Sequence, residues 1–126
     1  MTTLDDIARA AQAIPGIESA AIFVKDQAAA RLDLGAAAGV DGAALSGLVA
    51  AVQQAEHPIA QAMTDAAPTF NVQPMNPGGP ALRSHLPLGG LGVLALAHET
   101  ALSAEARQAL VGLAASAEGS IRASRS

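Results

Sequence analysis

Apolar positions fall into two repeating patterns along the chain, and their order outlines a fold. Leu4, Ile7, Ala8, Ala11 and Ile14 recur at three- and four-residue spacing, the stripe of an amphipathic helix. Thr3 with Asp6 three residues on makes a capping-box start, and Pro15-Gly16 stops the helix. Ile17 to Val24 is then almost continuously apolar and includes β-branched residues, which predicts a strand covered on both faces. Lys25-Asp26-Gln27 predicts a polar turn. From Ala28 to Gly35 the pattern alternates, with Ala30, Leu32 and Leu34 on one side and Arg31 and Asp33 on the other. That period of two predicts a half-buried hairpin partner.

Asp41 is placed to cap a second helix whose inner side carries Leu45, Leu48, Val49 and Val52. Pro58 suits the first position of a further short helix, with Ile59, Ala62, Met63 and Ala66 inward, and Pro68 ends it. Thr69 to Val72 is a short strand. Gln73 to Pro80 holds Pro74, Pro77, Gly78, Gly79 and Pro80 and reads as a loop. Leu82, Ser84, Leu86 and Leu88 next alternate with Arg83, His85 and Pro87. Gly89-Gly90 is a two-residue hairpin turn, and Gly92 to His98 is a second continuously apolar strand. Pro87 has no amide hydrogen, so its donor side must face an edge or a bulge. Ser103 caps the last helix, whose buried stripe is Ala106, Leu110, Leu113, Ala114, Ala117 and Ile121. Arg122 and Arg125 lie at its C-terminus, where the dipole favours cations, and the final Ser-Arg-Ser is expected to fray.

Strands joined as hairpins and separated by helices predict an α+β architecture: an antiparallel sheet of five or six strands with helices packed on it. Neither a repeat nor a second domain is visible, so residues 1–126 read as one domain.

Composition sharpens this picture. Apolar residues make up 51% of the 126 positions, but Phe23 and Phe70 are the only aromatics. The core must therefore be built from Leu, Val, Ile and Ala, with little bulk to fill gaps, so a cavity is compatible with it. The net charge is −4, with seven basic residues spread along the chain. That argues against nucleic acid and anionic membrane surfaces, which need clustered cations. There is no cysteine, which excludes disulfides, thiolate metal sites and thiol catalysis. No apolar run reaches the length of a membrane span and no leader-like segment stands at Met1, so a soluble, cytoplasmic location is expected.

Candidate chemistry is sparse. His57, His85 and His98 are not spaced as metal ligands. Arg83 and His85 share a strand face: either they hold an anion, through a rigid guanidinium fork and a titrating imidazole, or they are solvated on an outer sheet face. His57, before Pro58, reads as a helix-start residue, and His98, at a strand end, is expected to be exposed. Phe70 and Met75 flank the irregular segment and either wall a ligand cavity between the short helix and the sheet or seal the core. No serine lies in a G-x-S-x-G elbow, and the carboxylate pairs Asp5/Asp6 and Asp26/Asp33 are explained by capping and by an exposed strand. Gly78-Gly79 lacks a phosphate-loop spacing and reads as a turn. No catalytic or metal-ligating residue emerges.

The element order and the C-terminal half resemble the GAF domain family. Leu82-Arg83-Ser84-His85-Leu86-Pro87-Leu88, two glycines, and Leu91-Gly92-Val93-Leu94-Ala95-Leu96-Ala97-His98 look like that family's hairpin, in which a Pro-Leu pair precedes the turn and Gly-Val-Leu-Ala follows it. Leu102-Ser103-Ala104-Glu105 to Leu113-Ala114 is similar to its last helix, and His57-Pro58-Ile59 with Pro68 to its middle. The resemblance implies a GAF/profilin-like sheet with the N- and C-terminal helices on one face. It implies a pocket on the other, under the Asp41–Ala67 helices and the Gln73–Pro80 loop, with Phe70, Met75, Arg83, His85, His57 and Met63 as its ligand-binding candidates. It further implies a sensor of a small molecule, of unknown identity and with no assignable cofactor, that dimerises through its terminal helices. The absent cysteine excludes covalent bilin attachment and methionine sulfoxide reduction, and the cyclic-nucleotide Asn-Lys-Phe-Asp signature is missing. The expectation is a non-enzymatic, ligand-sensing regulatory domain. The alternative is a ligand-free dimerisation or assembly module of roadblock-like type. A cofactor-free enzyme would need a pocket containing a hydrogen-bonded Ser–His pair.

Overall fold

The computed structural model describes residues 3–26, 31–40, 42–54, 58–63, 67–72 and 82–125. The elements run α1 (Leu4–Gln12), β1 (Ile17–Lys25), β2 (Leu32–Ala38), α2 (Gly42–Ala51), α3 (Pro58–Ala62), β3 (Thr69–Val72), β4 (Leu82–Pro87), β5 (Gly92–His98) and α4 (Ala104–Arg125). Five strands form one sheet in the order β2-β1-β5-β4-β3, and every neighbouring pair is antiparallel. The two most apolar strands, β1 and β5, take the interior of the sheet, where both of their faces are covered. Each of the seven residues of β5 is buried. The described strands thus number five, the lower of the two expected values.

Strand parity sorts the side chains into two clusters. Ala20, Ile22, Leu86, Leu94 and Leu96 face the terminal helices and pack with Ile7, Ala8 and Ala11 of α1 and with Ala106, Leu110, Ala114, Ala117 and Ile121 of α4. Alanine on both helices lets them sit close to the sheet. Ala21, Phe23, Val93 and Ala95 face the other way and pack with Val52 beyond α2 and with Ile59 and Ala62 of α3. Phe23, fully buried, supplies much of the bulk of this second cluster. Each such large apolar side chain contributes about 1.5–3 kcal/mol by leaving water.

The helix starts read from sequence are present. The Thr3 hydroxyl accepts the Asp6 amide (3.1 Å) and the Asp6 carboxylate accepts the Thr3 amide (3.2 Å), a reciprocal cap. Ser103 accepts the Ala106 amide in the first turn of α4 (3.2 Å). Asp41 lies outside the described residues, as do the Gln73–Pro80 loop and Ala66. α4 continues to Arg125, and Ser126 lies outside the described residues.

Gly89 and Gly90 both have positive φ (63° and 81°), as a type I′ turn requires, and join β4 to β5 with Leu91 N–H donating to Leu88 O (3.0 Å). Pro87 is accommodated because β3 starts at Thr69, opposite His85, and leaves no described strand beside the proline. Gly92 answers a different demand. A Cβ there would lie 2.0 Å from the Phe23 carbonyl oxygen, so β1 and β5 approach this closely only at a glycine.

Leu32 and Leu34 share a side and Asp33 takes the other, as the alternation predicts, but the strand bounds expected at Ala28–Gly35 are corrected; Ala28–Ala30 lie outside the described residues. The second strand begins at Leu32 and runs to Ala38, and Gly35 is an extra residue between the pairs Ile22–Ala36 and Phe23–Leu34. This bulge reverses the side-chain parity part-way along β2. Leu32 therefore joins the second cluster, Ala36 joins the first, and Leu34 is 37% exposed.

Candidate functional site

β4 organises the polar groups of the sheet. Its even positions Ser84, Leu86 and the following Leu88 are buried toward α1 and α4, and its odd positions Arg83 and His85 point to the face carrying α3. Across the ladder Arg83 stands opposite Ala97 and His85 opposite Ala95. His85 is buried at 3% exposure and Arg83 is partly buried. The solvated outer face is thereby excluded for this pair. Met63, at the end of α3, packs against the same cluster. Burial lowers the Arg83 guanidinium's pKa.

Phe70 goes elsewhere, and its expected place beside the second-face cavity is corrected. It packs against the cluster under α4, with the Arg107 guanidinium 5.9 Å from its ring centroid. There it helps line a groove of about 380 Å³ with Ala104, Arg107, Gln108 and Val111. A smaller concavity of about 130 Å³ continues along α4 between Pro68, Pro87, Val111 and Glu118. Neither touches Arg83 or His85. Of the six candidate residues, Met63, Arg83 and His85 thus share the second face and Phe70 lies on the first. His57 and Met75 lie outside the described residues.

A buried polar network on the first face was not foreseen. The Ser84 hydroxyl and His98 Nε2 are 2.9 Å apart, and both residues are fully buried. His98 Nδ1 lies 2.7 Å from the Thr100 carbonyl, which can only accept. In the neutral ring Nδ1 therefore carries the proton, Nε2 accepts, and the Ser84 hydroxyl donates to it. Ser84 Oγ in turn accepts the Asn71 amide (3.2 Å), and Asn71 Oδ1 accepts the Leu102 amide (2.9 Å). Asn71 holds φ +59°, the left-handed region that asparagine tolerates best after glycine. The network ties β3, β4 and β5 to the segment that leads into α4.

The expected exposure of His98 is therefore wrong. Parity carried the signal: Leu94, Leu96 and His98 are spaced by two, so His98 must follow the two leucines to the buried face. The Ser–His pair has the elements of a nucleophile and its base. Both groups, however, are fully buried, with their polar atoms engaged in hydrogen bonds.

Charge elsewhere is peripheral. Arg9–Asp6, Arg31–Asp33 and Arg122–Glu118 are ion pairs among largely exposed groups. A hydrogen bond with Glu99, reinforced by burial and by that neighbour's charge, raises the Glu18 carboxyl above its usual value. Among the described residues no group of three or more His, Asp or Glu side chains is placed to hold a metal ion, and no helix is long and apolar enough to cross a membrane.

The chain matches no protein-family model and no curated protein. Solved structures do match. It superimposes on the GAF domain of an Acinetobacter phosphoenolpyruvate-protein phosphotransferase with a TM-score of 0.77 at 18% identity, over 97% of this chain and 81% of that one. The second GAF domain of DevS from Mycobacterium smegmatis gives 0.71 at 23% identity, over 96% and 91%. A segment of a methyl-accepting chemotaxis protein, residues 122 to 287, gives 0.71 at 20%, over 94% and 86%. The fold is that of GAF domains.

Proposed function

We propose that this GAF-fold chain is a cytoplasmic, non-catalytic regulatory domain that binds a small molecule on the second face of its sheet and signals through dimer contacts of α1 and α4. One observation carries the reading. β4 presents Arg83 and His85 under cover on one face, while Ser84 between them is hydrogen-bonded into a network that reaches the start of α4. A ligand that moves β4 by a fraction of an ångström therefore pulls on the helix through a chain of buried hydrogen bonds. The GAF domains of a phosphotransferase and of DevS, and the chemotaxis protein, share this arrangement of sheet and helices and support a signalling role.

Thermal denaturation of the whole chain with nucleotides, keto acids and amino acids tests the proposal, because a ligand that binds only the native state raises the melting temperature. Light scattering reports the dimer. No response to any compound together with a monomer at high concentration would sink the reading. The alternative, a ligand-free assembly module, is favoured by the apolar packing on the second face over β1 and β5, where Phe23, Val52 and Ile59 are themselves buried. A stable dimer indifferent to every compound is its signature.

A further inference from the structure

The geometry points to a small organic anion as the ligand of the second face, its carboxylate or phosphate group held by the Arg83 guanidinium. This rests on the sensing role proposed above and narrows it to a ligand class. Four other arginines have partners: Arg9, Arg31 and Arg122 reach carboxylates, and Arg107 lies over Phe70. Arg83 is partly buried, yet among the described residues no hydrogen bond or ion pair reaches it. A guanidinium taken from water without a counter-charge is costly, so sequences rarely keep one without an external partner. The strand fixes its direction. Arg83 shares a face with His85, two residues along, and lies beside Ala97 of β5 in the ladder. The described carboxylates of Asp6, Asp33 and Glu118 are engaged by other arginines. An incoming oxyanion would meet the rigid donor fork that matches carboxylate and phosphate geometry.

The test uses the full chain and matched probes: succinate against succinamide, and glycerol 3-phosphate against glycerol. Thermal shift and calorimetry are run on wild type, Arg83→Gln and Arg83→Lys. The expected result is that at least one anion binds, its neutral partner does not, Arg83→Gln weakens binding by about tenfold or more, and Arg83→Lys retains part of it. In addition, ligand-free Arg83→Gln melts at or above the wild-type temperature, because the unpaired charge is gone. Equal binding of the neutral partner, or Arg83→Gln affinity within about twofold of wild type, overturns the anion assignment while leaving the sensing role standing. A ligand-free Arg83→Gln that melts several degrees lower also overturns it, since the guanidinium then has an internal partner. Failure of all four probes overturns the anion assignment, and if the wider compound panel fails too, the sensing role falls with it.

Discussion

Replacing Ser84 by alanine tests the buried network most directly. The hydroxyl does two jobs, donating to His98 Nε2 and accepting the Asn71 amide. Ser84→Ala leaves the buried His98 Nε2 and the half-buried Asn71 amide with nothing to bond. An orphaned buried donor or acceptor costs about 1–3 kcal/mol, so two cost roughly 2–5 kcal/mol together. Against a total stability of about 5–15 kcal/mol for a domain, that is a large fraction. Urea unfolding followed by far-ultraviolet circular dichroism measures it. With a slope of about 1.5 kcal/mol per molar urea, the midpoint falls by roughly 1–3 M at unchanged slope. His98→Leu and the double variant complete a cycle, and the two changes should be non-additive by about 1 kcal/mol or more. A Ser84→Ala loss below about 0.5 kcal/mol, or strict additivity with His98→Leu, would refute the network as drawn.

Gly92→Ala drives a Cβ into the Phe23 carbonyl oxygen, which is backbone and cannot turn aside, so unfolding experiments should show a loss of about 3 kcal/mol. Hydrogen bonds from the Thr3 backbone and then its side chain hold the Asp6 carboxyl below its usual 3.8, so its contribution is present above that value and lost as pH falls through the lower folded one. Asp6→Asn should accordingly lower the melting temperature at pH 6, with the gap to wild type closing in acid. Glu18 has the opposite sign. Its pKa is raised by Glu99, so its favourable contribution is present below the usual 4.5 and disappears as pH rises through the folded value, leaving two carboxylates in opposition. Glu99→Gln should raise the melting temperature at neutral pH and lose that advantage by about pH 4.

Where the chain's own periodicity decided the structure, the reading from sequence agrees with it. The uninterrupted apolar runs at Ile17–Val24 and Gly92–His98 could be stable only inside a sheet, and the Gly89-Gly90 pair permitted one kind of turn. The disagreements sit where a single residue breaks the period. Gly35 adds one position to β2 and turns the side chains beyond it over, which no count of alternating residues anticipates. Asn71, in the left-handed conformation, accompanies a register shift in β3, and adjacent Phe70 packs against α4 and not above Arg83. His98 differs for another reason: a polar residue at a strand end suggests water, although the parity set by Leu94 and Leu96 assigns it to the core. Its partners, the Ser84 hydroxyl and the Thr100 carbonyl, come together only once β4 and β5 are paired and the chain turns toward α4. The common face of Arg83 and His85 was legible from their spacing of two; their burial depended on α3, which arrives from twenty residues away.

The bulge at Gly35 and the turn at Asn71 also guard the rims of the sheet. An alanine-rich chain with few charges has little electrostatic repulsion to keep copies apart, and a straight outer strand would offer them a template for end-to-end polymerisation. On one rim Gln53 uses its side-chain amide as a false strand, accepting the Leu32 amide (3.1 Å) and donating to the Leu32 carbonyl (2.6 Å). On the other, β3 is four residues long and interrupted by a residue of positive φ. With both described borders blunted, fibre growth by strand addition is discouraged from the outset.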